Sequence, residues 1–194
     1  KMLEKYYSET AWSAFYAERV NNVDYINAFG NKYKKLIDFI DACLNMYPDL
    51  VVKEEGCGIG NVSKAHYLFG KNKAKYYLLT DIDNTMLMLA YKNLEGVPNK
   101  TFVNENILDE CAYEKDTLVI THGVLEHFSD ENIAKIMAKY NNDHVKFHGH
   151  YVPLDGYLKP SFGDERLLSA MDWIHKTNPS SIEMTNNEDL FMYF

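Results

Sequence analysis

The sequence predicts an α/β fold in which a doubly wound, mostly parallel sheet carries helices on both faces. Two observations predict it. From Val51 onward, short apolar runs of strand length alternate with segments whose apolar residues recur every three or four positions. The first of those runs, V-V-K-E-E-G-C-G-I-G over residues 51–60, passes straight through a glycine-rich turn into a helical pattern. Sheets of this kind hold ligands in the crevice at the carboxyl ends of their strands, so a candidate site is sought there.

The elements follow in order. Residues 3–20 read as a helix crowded with Tyr6, Tyr7, Trp12, Phe15 and Tyr16, too aromatic for a solvated arm. A second helix runs from Ile26 to Tyr47 on one apolar stripe and stops at Pro48. After the strand at 51–55 come a helix over 61–69 closed by Gly70, a strand over 76–81, a helix over 85–94 and strands over 101–103 and 117–121. Ser129 offers an N-cap, with Asp130 and Glu131 in the first turn of a helix that buries Ile133, Ile136, Met137 and Tyr140. A fifth strand is expected over 144–150, a helix over 164–175, and a hairpin with arms at 182–184 and 190–194 around T-N-N-E-D. We expect one domain over 1–194, with helices of residues 1–47 laid over a core of residues 48–194.

Composition narrows the function. A formal charge of −8 without clustered lysine and arginine lacks the footprint of a nucleic-acid binder. A small-molecule partner is therefore expected, and neither nucleic acid nor membrane. Cys43, Cys57 and Cys111 are scattered and match no zinc spacing, which suits a reducing compartment and predicts the cytoplasm. No apolar run approaches the roughly 20 residues that span a bilayer.

Gly56, Gly58 and Gly60 sit where the chain turns from strand to helix. The dinucleotide fingerprint would need its third glycine at Asn61, so a pyrophosphate cradle is disfavoured. Glu54, one intervening residue and then G-C-G-I-G resemble the first motif of the class I S-adenosylmethionine-dependent methyltransferases. Two later stretches resemble the same family, small-molecule type: D-I-D-N-T-M-L from Asp81 and T-H-G-V-L-E-H-F-S-D from Thr121. The resemblance covers about residues 48–151. It implies a Rossmann-like, seven-stranded sheet, parallel except for an antiparallel last strand, with S-adenosylmethionine as cofactor.

Carried over residue by residue, the resemblance implies cofactor contacts from Glu54, Gly56, Cys57, Gly58 and Gly60. Asp81 would accept the ribose hydroxyls, with Ile82 beside it, unless it caps the next helix; Asp83 is assigned to that cap. Met86 falls at the adenine edge or in plain core. Asn106 either accepts from the adenine amine through its carbonyl oxygen or makes a turn, and Ile107 would pack on the ring. His122 and Gly123 would flank the methionine portion. His127 is a general base or a residue that fixes its loop.

The acceptor wall is expected from Trp12 and Tyr16, as a lid, and from His127, His150 and Tyr151. Arg166 either holds an acceptor carboxylate or phosphate or pairs with Asp164, Glu165 or Asp172. His144, His148 and His150 alternate along one strand without a carboxylate or cysteine at ligand spacing, so no metal is expected. Lys53 and Glu55 depart from the apolar central strand of the family and require either a solvated strand end or ion-pair partners. Rival readings are a non-catalytic binder of the same cofactor and a protein or nucleic-acid methyltransferase. Nothing in the motifs encodes the acceptor.

Overall fold

A computed structural model describes residues 13–157, 165–185 and 188–194. Its centre is a seven-stranded sheet in the order β3-β2-β1-β4-β5-β7-β6. The strands are β1 Val51–Glu55, β2 Tyr76–Asp81, β3 Lys100–Asn104, β4 Thr117–His122, β5 Val145–Pro153, β6 Ser181–Thr185 and β7 Asp189–Tyr193. The first five are mutually parallel, and β7 enters antiparallel between β5 and β6. Strand order reverses between β1 and β4, which opens a crevice above their carboxyl ends.

Helices cover both faces. On one lie α1 Val23–Lys32, α2 Lys34–Met46, α3 Asn61–Phe69 and α4 Asn84–Asn93; on the other lie α5 Asp130–Lys139 and α6 Ala170–Thr177. Leu36 and Ile40 of α2 meet Leu118 and Ile120 of β4 in the first core, all fully buried, each side chain contributing about 1.5–3 kcal/mol. The second core centres on Trp173, Ile133 and Leu190. Among the described residues no helix is long and apolar enough to cross a membrane.

Three expectations need correction. The helix expected over residues 26–47 is two helices that break at Tyr33, whose backbone leaves the helical region at φ −105, ψ 29. The Tyr33 N–H still bonds to Phe29 O and its carbonyl starts α2, so the apolar stripe runs on through the bend and conceals it. The helix expected from residue 164 begins only at Ala170, because Ser169 and Asp172 close a capping box and Leu168 is held in a bridge to Leu154. Asp164 lies outside the described residues. The three histidines do not share one strand face: a bulge opposite Thr117 and Leu118 adds Lys146 to β5, and His144 lies outside the strand, exposed beside Asp116.

Lys53 and Glu55 have partners. Lys53 Nζ lies 2.8 Å from Glu105 Oε1 and 3.7 Å from Glu55 Oε1. Lys139 Nζ reaches Glu55 Oε2 at 2.6 Å and donates to Ile107 O at 2.8 Å, while Tyr113 Oη donates to Glu55 Oε1 at 2.8 Å. This buried set of alternating charges ties β1 and α5 to the segment after β3, and so fixes residues 105–107 at the rim of the crevice.

Candidate functional site

The crevice holds a cavity of about 520 Å³. Segments after β1, β2, β3 and β4 converge on it. The turn after β1 is built from left-handed backbone: Gly58 has φ +54 and Gly60 φ +74. Gly58 faces the cavity, where a Cβ would meet nothing nearer than Met86 Cε at 3.4 Å. Gly60 faces the core instead; a Cβ there would stand 2.6–2.7 Å from Leu94 and Leu79, and Gly60 does not line the cavity. Its place among the expected cofactor contacts is therefore corrected to a packing role, as N-cap of α3.

A glycine N-cap has no side chain to bond the first turn of its helix, and Glu54 supplies the acceptor from the strand below. Its carboxylate accepts from Ser63 N at 2.9 Å, Ser63 Oγ at 2.6 Å and Val62 N at 3.4 Å. Burial nevertheless pushes its pKa up to about 7, against the pull of those donors. Burial also raises the Cys57 thiol well above its ordinary range, so that side chain is a neutral lining group.

Asp81 closes β2 and faces the same space. Gly58 N–H donates to its Oδ2 at 2.8 Å and Asp83 N–H to its Oδ1 at 2.9 Å, so the carboxylate is aimed from both sides and keeps lone pairs toward the cavity. Burial raises its pKa, opposed by those two amides. Asp83 caps α4 through Thr85 N and Met86 N. Met86 and Ile107, both buried, join the exposed Ile82 along one apolar side of the cavity. Asn106 also lines it, while its Oδ1 accepts from Leu108 N at 3.0 Å and makes the turn.

At the end of β4, Gly123 takes φ +68 and leaves only Glu126 Oε1 within 3.4 Å of a Cβ position. His122 packs edge-on to Tyr33, with centroids 4.3 Å apart, and 5.1 Å from Phe29. Burial lowers its pKa to about 4, so it is a neutral imidazole near pH 7. His122, Gly123, His127 and Tyr16 line both this cavity and a second one of about 140 Å³ behind it. Tyr151 lines the second cavity only; Trp12 lies outside the described residues.

Two acceptor-wall expectations fail. His150 lines neither cavity: it is fully buried on the other face of the sheet, bonded to Thr121 Oγ1 at 2.7 Å and to His148 at 2.8 Å, and stacked on Tyr140. Alternation along β5 puts it opposite Tyr151. Arg166 also lines neither; its guanidinium donates to Phe128 O at 2.6 Å and pairs with Asp130 at 2.5 Å, a partner outside the three considered. Sequence reading set Glu126 only at the site's edge and Glu165 only as a possible partner of Arg166, and gave Tyr33, Tyr157 and Asp189 no place in the site; all five line the second cavity. Glu126 had a signal, a carboxylate set directly after the apolar pair Val124–Leu125. Among the described residues no group of histidine, cysteine or carboxylate side chains forms a metal site.

No protein-family model matches the chain, and no curated protein matches it. Solved structures do. Magnesium protoporphyrin IX methyltransferase from Synechocystis PCC 6803, crystallised with SAH bound, superposes with a TM-score of 0.63 at 17% identity, covering 99% of this chain and 97% of its own. The chain shares the fold of that methyltransferase. The same likeness extends to the PH0226 protein from Pyrococcus horikoshii OT3, with a TM-score of 0.61 at 13% identity over 90% of this chain and 92% of that one. A putative O-methyltransferase from Nostoc punctiforme PCC 73102 matches 81% of this chain and 55% of its own, at 16% identity and a TM-score of 0.59. In this methyltransferase fold the crevice between β1 and β4 coincides with the cavity described above.

Proposed function

We propose that the chain is an S-adenosylmethionine-dependent methyltransferase acting on a small-molecule acceptor. The observation that carries the reading is Asp81, a carboxylate at the end of β2 aimed into the larger cavity by the Gly58 and Asp83 amides. Such an acceptor suits a vicinal diol. The donor set fits the cofactor elsewhere as well. Ile82, Met86 and Ile107 offer an apolar slot for a flat base, Asn106 a polar edge beside it, and Gly56 and Gly58 a surface without side chains. His122 and Gly123 border the far end, toward the second cavity. When bound, the cofactor supplies an electrophilic sulfonium methyl for in-line displacement.

Such a displacement needs alignment and dehydration more than acid–base help. The residues for that are at hand. His122 stays neutral between the cavities and adds no positive charge beside a sulfonium. Tyr16 borders both cavities, where its ring would help to exclude water, and His127 borders both as a candidate general base. A small acceptor fits the second cavity, about 140 Å³ and walled by Tyr33, Tyr151 and Tyr157, better than a polymer would. NAD is disfavoured by Asn61, which opens α3 where the dinucleotide turn requires glycine.

Calorimetry with S-adenosylhomocysteine and NAD tests the reading. S-adenosylhomocysteine is expected to bind and, at a hundredfold excess over its Kd, to add about 2.7 kcal/mol of stability. Binding of NAD with none of S-adenosylhomocysteine would overturn it.

A further inference from the structure

The second cavity has a chemistry of its own. Glu126, in the turn of 3₁₀-helix Leu125–His127, faces it from one side; Glu165 and Asp189, the first residue of β7, face it from others. Lys32 Nζ answers Asp189 at 3.4 Å. Neither Glu126 nor Glu165 is paired with lysine or arginine among the described residues. Glu126 is 3% exposed, and one of its oxygens lies 3.9 Å from His127 Nε2. Its other oxygen, Oε2, is buried with no hydrogen-bond partner among the described residues, and Glu165 Oε2 is in the same condition. A buried carboxylate oxygen without a donor is costly to keep, and it marks a place where a donor belongs.

The remaining walls are aromatic. Tyr33, Tyr151 and Tyr157 line the cavity, and burial raises all three phenols, which stay neutral and add no negative charge. Two of these rings already face a cation: the Lys32 ammonium stands 5.2 Å from the Tyr33 centroid and 5.8 Å from that of Tyr157. An anionic group would meet three carboxylates here. A neutral hydroxyl could satisfy one orphan oxygen but would leave the charges of Glu126 and Glu165 without a lysine or arginine partner among the described residues. A metal ion would need convergent ligands, and these carboxylates do not form such a group.

We propose that this cavity is the seat of a protonated amine on the methyl acceptor, its ammonium head against Glu126 and Glu165 and its carbon stem among the tyrosine rings. The inference rests on the methyltransferase reading, because the cavity adjoins the proposed cofactor site through His122, Gly123 and Tyr16. At about 140 Å³ it holds an ammonium and a short alkyl stem, about four or five water-sized groups at ~30 Å³ each. The rest of such an acceptor would extend past His127 toward the larger cavity. The acceptor class that follows is an alkyl- or arylalkylamine, not a phenolic acid or a sugar phosphate.

The test uses the full chain saturated with S-adenosylhomocysteine and titrated with n-butylammonium, n-butanol and butyrate, read by calorimetry. Butylammonium is expected to bind at least tenfold more tightly than either isostere. Glu126→Gln should weaken it tenfold or more and Glu165→Gln several-fold, with S-adenosylhomocysteine affinity unchanged in both. Should Glu126→Gln fail to fold, Glu165→Gln and the three-ligand series on the unaltered protein still decide the matter. Equal or tighter binding of butanol or butyrate, or no binding of any of the three while S-adenosylhomocysteine binds, overturns the ammonium seat alone. Displacement of butylammonium by magnesium chloride, reversed by EDTA, overturns it in favour of a metal. Failure of S-adenosylhomocysteine itself to bind removes the methyltransferase reading as well.

Discussion

Asp81 and Asp83 stand two residues apart with different work. Asp81 holds the glycine turn and faces the cavity, whereas the Asp83 carboxylate, which also borders the cavity, bonds the start of α4. Asp81→Ala is expected to lower S-adenosylhomocysteine affinity tenfold or more, since a charge-assisted acceptor is worth about 1.5–3 kcal/mol. Asp83→Ala should leave affinity within a few-fold and cost about 1 kcal/mol of stability through the lost cap. Calorimetry and urea titration on both variants check the ranking. Glu126 gives a pH test. Burial raises its pKa from 4.5 to about 7 in the folded state, so its contribution to stability is fully present below pH 4.5 and is lost as pH rises through about 7. Glu126→Gln should therefore gain on the unaltered protein between pH 4.5 and 7, by about 3 kcal/mol at most. Parallel stability curves across that window would refute it.

Single residues were legible in the sequence where the backbone itself demanded them. Gly58 and Gly60 must be glycine to hold left-handed turns beside a cavity and against Leu79 and Leu94, and that demand shows in the spacing. The two sides of a strand were not legible. Alternation says that His150 and Tyr151 face opposite ways, but which of them meets the crevice depends on which helices cover which face. Arg166 bonds Asp130, thirty-six positions distant, and no local pattern announces such a pairing.

At the scale of elements, the charges on β1 work as a clasp. Lys139 of α5 reaches through to Glu55 and to Ile107 O, so α5, β1 and the rim of the cofactor cavity are joined at one ammonium group. Lys139→Met would leave Glu55, which is fully buried, without its closest cation. Urea denaturation is expected to show a loss of about 3–5 kcal/mol, and the double variant Lys139→Met/Glu55→Gln should recover part of it. A loss under about 1 kcal/mol in the single variant would show that the clasp does not carry the rim. Element types and order were readable from periodicity. The break at Tyr33 was not, because the stripe from Ile26 to Leu44 keeps its phase across the bend.

Across the whole molecule, the candidate site belongs to no single element. Residues 56–58, 81–86, 105–107 and 122–124 come from distant parts of the chain and meet only because parallel strands end on one side of the sheet. Hydrogen exchange should therefore report S-adenosylhomocysteine in all four segments together, with slower exchange at each and no change at the outer strand β6. Protection confined to one segment would argue against a cofactor spanning the crevice. The sheet and its crevice were legible, since local patterns add up to topology through the right-handed crossover rule. The second cavity was not, because Tyr33, Glu126, Glu165 and Asp189 have no common motif and come together only in space.

The placement of β7 between β5 and β6 has a consequence for synthesis. β6 leaves the ribosome before β7, yet among the described residues its only neighbour in the sheet is β7. Until Leu190, Phe191 and Met192 have been made, β5 presents a bare edge, and Trp173 lacks the Leu190 and Met192 side chains that share its core. The emerging chain is thus sticky until residues 189–193 have followed, and the β6–β7 hairpin then docks on β5 as a unit. Translation halted before Asp189 is expected to yield a product that binds holdase chaperones or aggregates. Its recovery as a soluble, monomeric protein would show that β5 tolerates an open edge.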